Sequence, residues 1–189
     1  EKIQEEAEKY NLMLPVDLGA RGSCTIGGNI STNAGGNMVI KYGMMRDSVL
    51  GLEAVLADGQ IVSSMNQMLK NNSGYDLKQL FIGTEGTLGF ITRAVLRLRE
   101  KPSSINTALL GLNSFEHVIE FLKYIDKGLG GNLSAYEVMW KNFYEVITSS
   151  QSNHIPPLPL SSSYYVIVET MGAEQEKDSV LFEKLLERA

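Results

Sequence analysis

The chain has 189 residues, 43% of them hydrophobic and 21% charged, and 17 Lys plus Arg against 22 Asp plus Glu give a formal net charge of −5. This composition is typical of a globular protein and excludes a collagen-like or wholly disordered chain. The negative charge disfavours a nucleic-acid-binding function, since such proteins need a basic surface. No apolar run is long enough to predict a membrane span, and the acidic first residues do not resemble a signal peptide.

Cysteine and histidine are scarce. Cys24 is the only cysteine, which excludes an intrachain disulfide and favours a reducing compartment such as the cytoplasm. His117 and His154 lie too far apart in the sequence to predict a shared metal site, and one cysteine cannot complete a structural zinc site. We therefore expect no metal ligands within the chain.

Glycine is distributed unevenly along the chain. Residues 1–100 carry 13 of the 18 glycines, and the remaining residues carry 5. Pro102 is followed by two serines, which is typical of a linker because proline restricts the backbone of the residue before it. The sequence therefore predicts two units, 1–101 and 102–189.

Hydrophobic spacing predicts the elements of the first unit. Ile3, Ala7 and Tyr10 recur at helical spacing. A β-branched run meets Asp58-Gly59, a dipeptide that favours the tight turn of a β-hairpin. In chain order we expect a helix over 3–10, a strand over 13–17, the hairpin strands 49–57 and 60–63, a helical turn within 76–82 and a strand over 91–99.

The second unit mixes strands and helices. Asn113 followed by Glu116 resembles a capping box at a helix start, and a glycine-rich segment over 128–131 ends that helix. A helical pattern over the segment from Ala135 would place Glu137 and Lys141 on one face as a solvent-exposed ion pair. The expected elements are a strand over 107–112, the capped helix, a helix over 135–147, a polar loop over 149–163, a strand over 164–169 and a helix over 174–188.

Two glycine-rich segments are the candidates for a functional site. Segment 27–36 places two glycine pairs eight residues apart among Asn, Ser and Thr, and segment 83–89 spaces its glycines by three. Glycine lets a backbone approach a ligand closely, and the N–H groups of such loops suit an anion such as pyrophosphate. A solvent-exposed loop of tight turns explains the same residues equally simply. Neither segment matches a Walker A loop or the G-x-G-x-x-G fingerprint.

Four motifs stand in an order that is typical of one flavoenzyme family. They are Asp17-Leu18-Gly19-Ala20-Arg21-Gly22-Ser23-Cys24-Thr25-Ile26-Gly27-Gly28-Asn29, Thr32-Asn33-Ala34-Gly35-Gly36, Lys41-Tyr42-Gly43 and the segment 73–89. Together they resemble FAD-linked oxidoreductases of the vanillyl-alcohol oxidase and p-cresol methylhydroxylase (PCMH) type. Within that family the chain is most similar to the D-2-hydroxyacid branch, which includes D-2-hydroxyglutarate dehydrogenase, the glycolate oxidase flavoprotein subunit and D-lactate dehydrogenase.

The resemblance implies a fold and a set of cofactor contacts. The chain would be α+β, with 1–101 as the latter part of a PCMH-type FAD-binding domain and 102–189 as the first part of a substrate, or cap, domain. Segment 19–25 would line the flavin, segment 32–35 would meet the ribityl or pyrophosphate portion, and segment 85–91 would lie nearer the adenosine half. The implied FAD-binding residues are Gly19, Arg21, Ser23, Cys24, Thr25, Gly28, Asn29, Thr32, Asn33, Gly35, Glu85, Gly86, Gly89 and Ile91. No catalytic residue is expected within the chain, which would be the middle of a longer enzyme.

The resemblance also implies a reaction and its partners. A D-2-hydroxyacid would be oxidised to the 2-oxoacid by hydride transfer to flavin, helped in some members by a divalent metal held by residues beyond Ala189. The electrons would pass to an electron-transfer flavoprotein or a quinone, and a homodimer is expected. The location would be the cytoplasm or, in a eukaryote, the mitochondrial matrix. Two other functions stay open: the ether-lipid or aryl-alcohol branch of the superfamily, and a catalytically silent fragment that acts as a folded interaction module.

Several single residues have more than one interpretation. Cys24 would either touch the flavin or act as a small buried hydrophobic residue. Arg46 and Asp47 would either orient substrate or form an exposed ion pair, and the pair is favoured because surface pairs are common. His117 is expected at the surface or half-buried in a helix, and His154 is expected in a loop.

Overall fold

The computed structural model describes residues 1–148 and 155–188. The chain divides into two compact units, Glu1–Lys101 and Pro102–Ala189. Both units combine helices with antiparallel sheets, which confirms the expected α+β class. His154 and the first part of the expected 149–163 loop lie outside the described residues. Among the described residues, no helix has both the length and the apolar character needed to cross a membrane.

The first unit is built from short helices and strands. In chain order its elements are α1 (Lys2–Glu8), β1 (Leu12–Met13), α2 (Ile26–Ser31), α3 (Val39–Tyr42), α4 (Met45–Ser48), β2 (Val49–Val55), β3 (Ile61–Ser64), a 3₁₀ turn (Leu77–Leu80), β4 (Phe90–Leu96) and β5 (Arg99–Glu100). Strand β2 lies between β3 and β4 in an antiparallel sheet, and β1 pairs with β5. The buried core of the unit consists of Leu14, Val16, Ile30, Met45, Val49, Leu52, Ala54, Phe81 and Ile82. This core packs α2 and α4 against β2.

The expected hairpin is present, and its turn shows why. The Leu56 N–H donates to the Gln60 carbonyl oxygen at 2.9 Å, and the Gln60 N–H donates to the Asp58 carboxylate at 3.0 Å. Gly59 has a φ of +85°, which is unfavourable for residues with a side chain. The Asp58-Gly59 dipeptide therefore fixes the register of β2 and β3, as the sequence predicted.

The predicted strand over 13–17 is wrong beyond Met13. Leu14 and Val16 are buried, but the Gln4 side chain binds their backbone groups. The Leu14 N–H donates to Gln4 Oε1 at 3.1 Å, and Gln4 Nε2 donates to the carbonyl oxygens of Leu14 at 2.6 Å and Val16 at 3.3 Å. Because these bonds satisfy backbone groups that burial would otherwise leave unpaired, the segment needs no partner strand.

The second unit is a three-stranded antiparallel sheet packed against two helices. Its elements are β6 (Ser104–Leu112), α5 (Phe115–Leu129), β7 (Leu133–Trp140), α6 (Lys141–Ile147), β8 (Tyr164–Gly172) and α7 (Gln175–Glu187). Strand β8 lies between β6 and β7. Helices α5 and α7 pack on the sheet through a core of Phe121, Ile125, Leu129, Leu133, Val168 and Phe182.

The predicted helix over 135–147 is wrong in its first half. Residues 133–140 form β7 and pair with β8, and only Lys141–Ile147 is helical. The β-branched and aromatic residues of this stretch favour a strand once β8 offers them a partner, which sequence spacing alone does not reveal. Glu137 and Lys141 therefore do not share a helical face. Lys141 instead pairs with Glu145 at 3.8 Å on α6.

The N-cap of α5 is Ser114 rather than Asn113. The Ser114 Oγ accepts a hydrogen bond from the His117 N–H at 3.2 Å, so the cap lies one residue later than the sequence pattern indicates. His117 itself is exposed on the first turn of α5, which confirms its expected surface position.

Replacing the cap residue tests this assignment. We expect Ser114→Ala to lower the free energy of unfolding by about 1 kcal/mol, because one helix N–H loses its acceptor. The exposed neighbour Asn113 provides a matched control, and Asn113→Ala should change the free energy by less than about 0.5 kcal/mol. Urea unfolding followed by circular dichroism measures both. A larger loss for Asn113→Ala than for Ser114→Ala would contradict the cap position.

Candidate functional site

The loop over 17–25 is held in shape by its own backbone. The N–H of Arg21 donates to the Leu18 carbonyl oxygen at 3.1 Å, and the N–H groups of Ser23 and Cys24 both donate to that of Ala20 at 2.9 Å. The Arg21 guanidinium pairs with the Asp17 carboxylate at 2.7 Å on the surface. The loop therefore presents a defined, largely exposed backbone surface directly before α2.

Two glycines keep that surface open. A Cβ on Gly19 would meet no heavy atom within 4 Å, and a Cβ on Gly22 would meet only the Glu1 carboxylate, at 3.7 Å. Within the described residues, the N–H groups of Gly19 and Gly22 have no protein acceptor. Exposed backbone donors without a neighbouring side chain are the features that a close-lying anionic or heteroaromatic ligand needs.

Helix α2 begins directly after the 17–25 loop. Thr25 is its N-cap, and the Thr25 Oγ1 accepts a hydrogen bond from the Gly28 N–H at 3.1 Å. A Cβ on Gly28 would lie only 2.9 Å from that hydroxyl, so the cap geometry favours glycine there. Asn29 donates from Nδ2 to the Cys24 Sγ at 3.5 Å, which ties the loop to the helix. Cys24 is partly exposed rather than buried.

The segment after α2 turns back through a left-handed residue. Asn33 has a φ of +48°, and its Oδ1 accepts a hydrogen bond from the Arg46 N–H at 2.9 Å. The Thr32 Oγ1 donates to the Gly28 carbonyl oxygen at 3.0 Å, and the Met45 N–H donates to that of Ala34 at 2.8 Å. The Asn33 amide oxygen and the Thr32 hydroxyl therefore support the turn, and their contact with a cofactor remains a prediction.

The second glycine-rich segment lies directly against α2. The Gly83 N–H donates to the Ile30 carbonyl oxygen at 3.2 Å, and the Glu85 N–H donates to that of Ser31 at 2.8 Å. A Cβ on Gly27 would lie 3.4 Å from the Ile91 carbonyl oxygen of β4. The structure thus brings together two segments that stand more than forty residues apart in the sequence.

The glycines of the second segment have different roles. Gly86 has a φ of +84° and open space around it, and it follows Glu85, which is also left-handed at +53°. Gly89 packs closely instead, since a Cβ there would lie 3.0 Å from the Val55 carbonyl oxygen and 3.3 Å from the Phe81 ring. The tip over 85–86 is therefore exposed, and its base is fixed to the sheet.

The Lys41-Tyr42-Gly43 motif packs beside α4. The Lys41 Nζ lies 5.6 Å from the centroid of the Tyr42 ring. Burial raises the pKa of the Tyr42 phenol, and the nearby Arg99 charge opposes that shift. Gly43 has a φ of +79°, and a Cβ there would overlap the Asp47 carboxylate, so this glycine is required by local packing.

Arg46 has a structural role that the sequence does not reveal. Its Nη1 donates to the carbonyl oxygen and the Oε1 of Gln79 at 2.9 and 2.7 Å, and its Nη2 donates to the Ile82 carbonyl oxygen at 2.6 Å. The expected ion pair with Asp47 is wrong for the described residues, because the Asp47 carboxylate accepts from the Met44 N–H at 2.8 Å. No sequence signal indicates acceptors that lie more than thirty residues away.

The chain is similar to several known proteins. Residues 1–64 match a family model described as an FAD binding domain. The chain is 41% identical over 189 residues to the mitochondrial D-2-hydroxyglutarate dehydrogenase of Danio rerio, covering 99% of this chain and 35% of that protein. It is 42% identical over 194 residues to a mitochondrial protein of Schizosaccharomyces pombe that is named provisionally as a D-lactate dehydrogenase, covering 98% of this chain and 37% of that protein.

Residues 1–64 therefore match an FAD binding domain, and nearly the whole chain is similar to dehydrogenases of D-2-hydroxyacids. It spans about a third of the length of the curated relatives that it matches. A solved structure of alkyldihydroxyacetonephosphate synthase superposes with a TM-score of 0.74 at 18% identity, covering 98% of this chain and 35% of that one. This similarity shows that the chain shares the fold of that part of the synthase.

The first unit fits FAD. The backbone at Gly19 and Gly22 lies open shortly before α2, and the exposed tip at Glu85 and Gly86 is hydrogen-bonded to the end of the same helix. The matched FAD binding domain contains the whole 17–36 region, and the 83–91 segment follows it in sequence.

Gly36 offers a test of how the loop packs. A Cβ on Gly36 would overlap the Asp17 carbonyl oxygen, and its φ is +129°. We expect Gly36→Ala to lower the free energy of unfolding by about 3 kcal/mol or more. Gly59→Ala is the control, since φ there is +85° but a Cβ meets no atom within 4 Å. It should cost only about 1–2 kcal/mol. Equal losses in urea unfolding would contradict the packing of Asp17 on Gly36.

Proposed function

We propose that the full-length protein is an FAD-dependent dehydrogenase that oxidises a D-2-hydroxyacid, with D-2-hydroxyglutarate as the favoured substrate. The observation that carries this proposal is the 41% identity to a D-2-hydroxyglutarate dehydrogenase across 99% of this chain. The FAD binding domain match over 1–64 supports the cofactor. The alkyldihydroxyacetonephosphate synthase similarity, at 18% identity, concerns the fold alone and does not favour ether-lipid chemistry.

The residues of this chain would hold the cofactor. When bound, FAD accepts the hydride that leaves the α-carbon of the substrate. The backbone N–H groups of Gly19 and Gly22 would donate to it, and the tip at Glu85 and Gly86 would hold its other end. The remaining residues assigned to the site are Arg21, Ser23, Cys24, Thr25, Gly28, Asn29, Thr32, Asn33, Gly35, Gly89 and Ile91. We assign the base that takes the hydroxyl proton to no residue of this chain.

We assign different tasks to the two units. Unit 1–101 would bind FAD, and unit 102–189 would contribute to the substrate pocket. The electrons would pass to an electron-transfer flavoprotein or a quinone, and the enzyme would be a homodimer. The relatives named above are mitochondrial by name, which supports a location in the mitochondrial matrix of a eukaryotic cell.

Flavin reduction tests the reaction directly. The purified full-length protein should show the visible absorption of bound FAD, and anaerobic addition of D-2-hydroxyglutarate should bleach that absorption. L-2-Hydroxyglutarate is the control and should leave the spectrum unchanged. Reduction by neither enantiomer, with FAD bound, would contradict the assignment to D-2-hydroxyacids. Bleaching by the L-enantiomer alone would contradict the stereochemistry.

Gly19 tests where the cofactor approaches. Because a Cβ at the exposed Gly19 would meet no protein atom within 4 Å, we expect Gly19→Val to leave the fold intact. We expect it to weaken FAD binding at least tenfold, since its methyl groups would occupy the space of the ligand. Ser63→Val places the same side chain at an exposed position of β3 and should leave the affinity unchanged. Titration of the full-length apoprotein with FAD measures both. Unchanged binding by Gly19→Val would mean that the ligand does not approach this backbone.

A further inference from the structure

We propose that Arg46 is a positioning residue for the flavin site, one that holds the 83–91 segment at its distance from α2 without touching the cofactor. The proposal rests on the proposed function, because it assigns a consequence of this packing to FAD binding. The guanidinium of Arg46 joins the start of α4 to the 3₁₀ turn and the residue before Gly83.

The guanidinium of Arg46 makes partly buried hydrogen bonds to residues just before the second segment. Nη1 binds two oxygens of Gln79 and Nη2 binds the Ile82 carbonyl oxygen, which directly precedes Gly83. Ile82 is 2% exposed, so its carbonyl group has little access to water. A buried carbonyl oxygen that loses its donor costs stability locally, so removing Arg46 should loosen the 79–83 turn first.

The same residue also anchors the first segment. The backbone N–H of Arg46 donates to the Asn33 Oδ1 at 2.9 Å, and this bond supports the left-handed turn after α2. A Cβ on Gly83 would lie 3.4 Å from the Asn33 Cβ and 3.6 Å from the Arg46 Nη2. Arg46, Asn33 and Gly83 therefore pack together at the junction of the two glycine-rich segments.

The geometry requires an arginine. The planar guanidinium carries donors that diverge in fixed directions, and here they reach Gln79 with one nitrogen and Ile82 with the other. A lysine keeps the charge but donates from a single nitrogen, so it does not reproduce the two separate donor positions that meet Gln79 and Ile82. Arg46→Lys would therefore retain the positive charge and lose the simultaneous attachment to Gln79 and Ile82.

Amide hydrogen exchange in the full-length apoprotein tests the positioning without any flavin. We expect Arg46→Lys and Arg46→Gln to speed exchange at the Gly83 and Glu85 N–H groups at least tenfold, because their bonds to α2 depend on this attachment. Exchange at the β2 and β3 amides should stay unchanged. Arg93→Gln removes an exposed guanidinium of β4 and is the control. Exchange at Gly83 and Glu85 equal to wild type in both variants would overturn the proposal.

FAD titration of the same proteins tests the functional consequence. We expect both Arg46 variants to bind FAD at least tenfold more weakly and to recover the wild-type visible spectrum at saturating FAD, whereas Arg93→Gln binds normally. Wild-type affinity in both variants, or full rescue of affinity by Arg46→Lys, would overturn the positioning role. Absence of FAD binding in the wild-type protein would overturn the proposed function and this inference together. If the wild type binds FAD and both Arg46 variants bind it with the same affinity, the inference alone would be overturned.

Discussion

The docking of the 83–85 turn on the end of α2 is the contact on which the candidate site depends. Two backbone hydrogen bonds, from Gly83 to Ile30 and from Glu85 to Ser31, join segments that the chain order keeps far apart. Ile30 is fully buried in the core, so packing holds the end of α2 in place. Backbone groups make both bonds, and the Arg46 guanidinium holds the carbonyl group of Ile82 directly before them.

Glycines contribute to this arrangement for two separate physical reasons. At Gly28, Gly36 and Gly89 a Cβ would crowd the protein itself, so these positions are glycine because of packing. At Gly19 and Gly86 a Cβ would meet no protein atom within 4 Å, and the open space faces outward. The φ of +84° already favours glycine at Gly86, so of these two only Gly19 has no cause within the protein. A glycine-rich motif therefore contains both the scaffold of a site and its binding surface, and the structure separates them.

The sequence predicted those features whose cause is local. The β2–β3 hairpin follows from the Asp58-Gly59 turn, and α5 follows from its apolar stripe and a polar cap, although the cap is Ser114. Features that depend on distant partners were missed. Strand β7 needs β8 to pair with, and the buried segment at Leu14 needs the Gln4 side chain, so spacing along the chain could indicate neither.

The same distinction applies to the site. The motifs indicated the relatives and the two glycine-rich segments. An ion pair was predicted for Arg46, which instead binds three oxygens of the distant Gln79 and Ile82. The side chains that the motifs assign to the cofactor mostly make hydrogen bonds within the protein in this structure. Their contacts with the cofactor therefore stay a prediction. The structure adds to the motifs the way in which the two glycine-rich segments pack against each other.

A crystal structure of the full-length protein with FAD would test the central claim most directly. The account predicts that one FAD molecule contacts both the 19–25 loop and the 85–91 segment, with the Gly83 and Glu85 bonds to α2 retained beneath it. A cofactor that contacts only one of the two segments, or that lies elsewhere on the protein, would contradict the claim that α2 joins them into a single site.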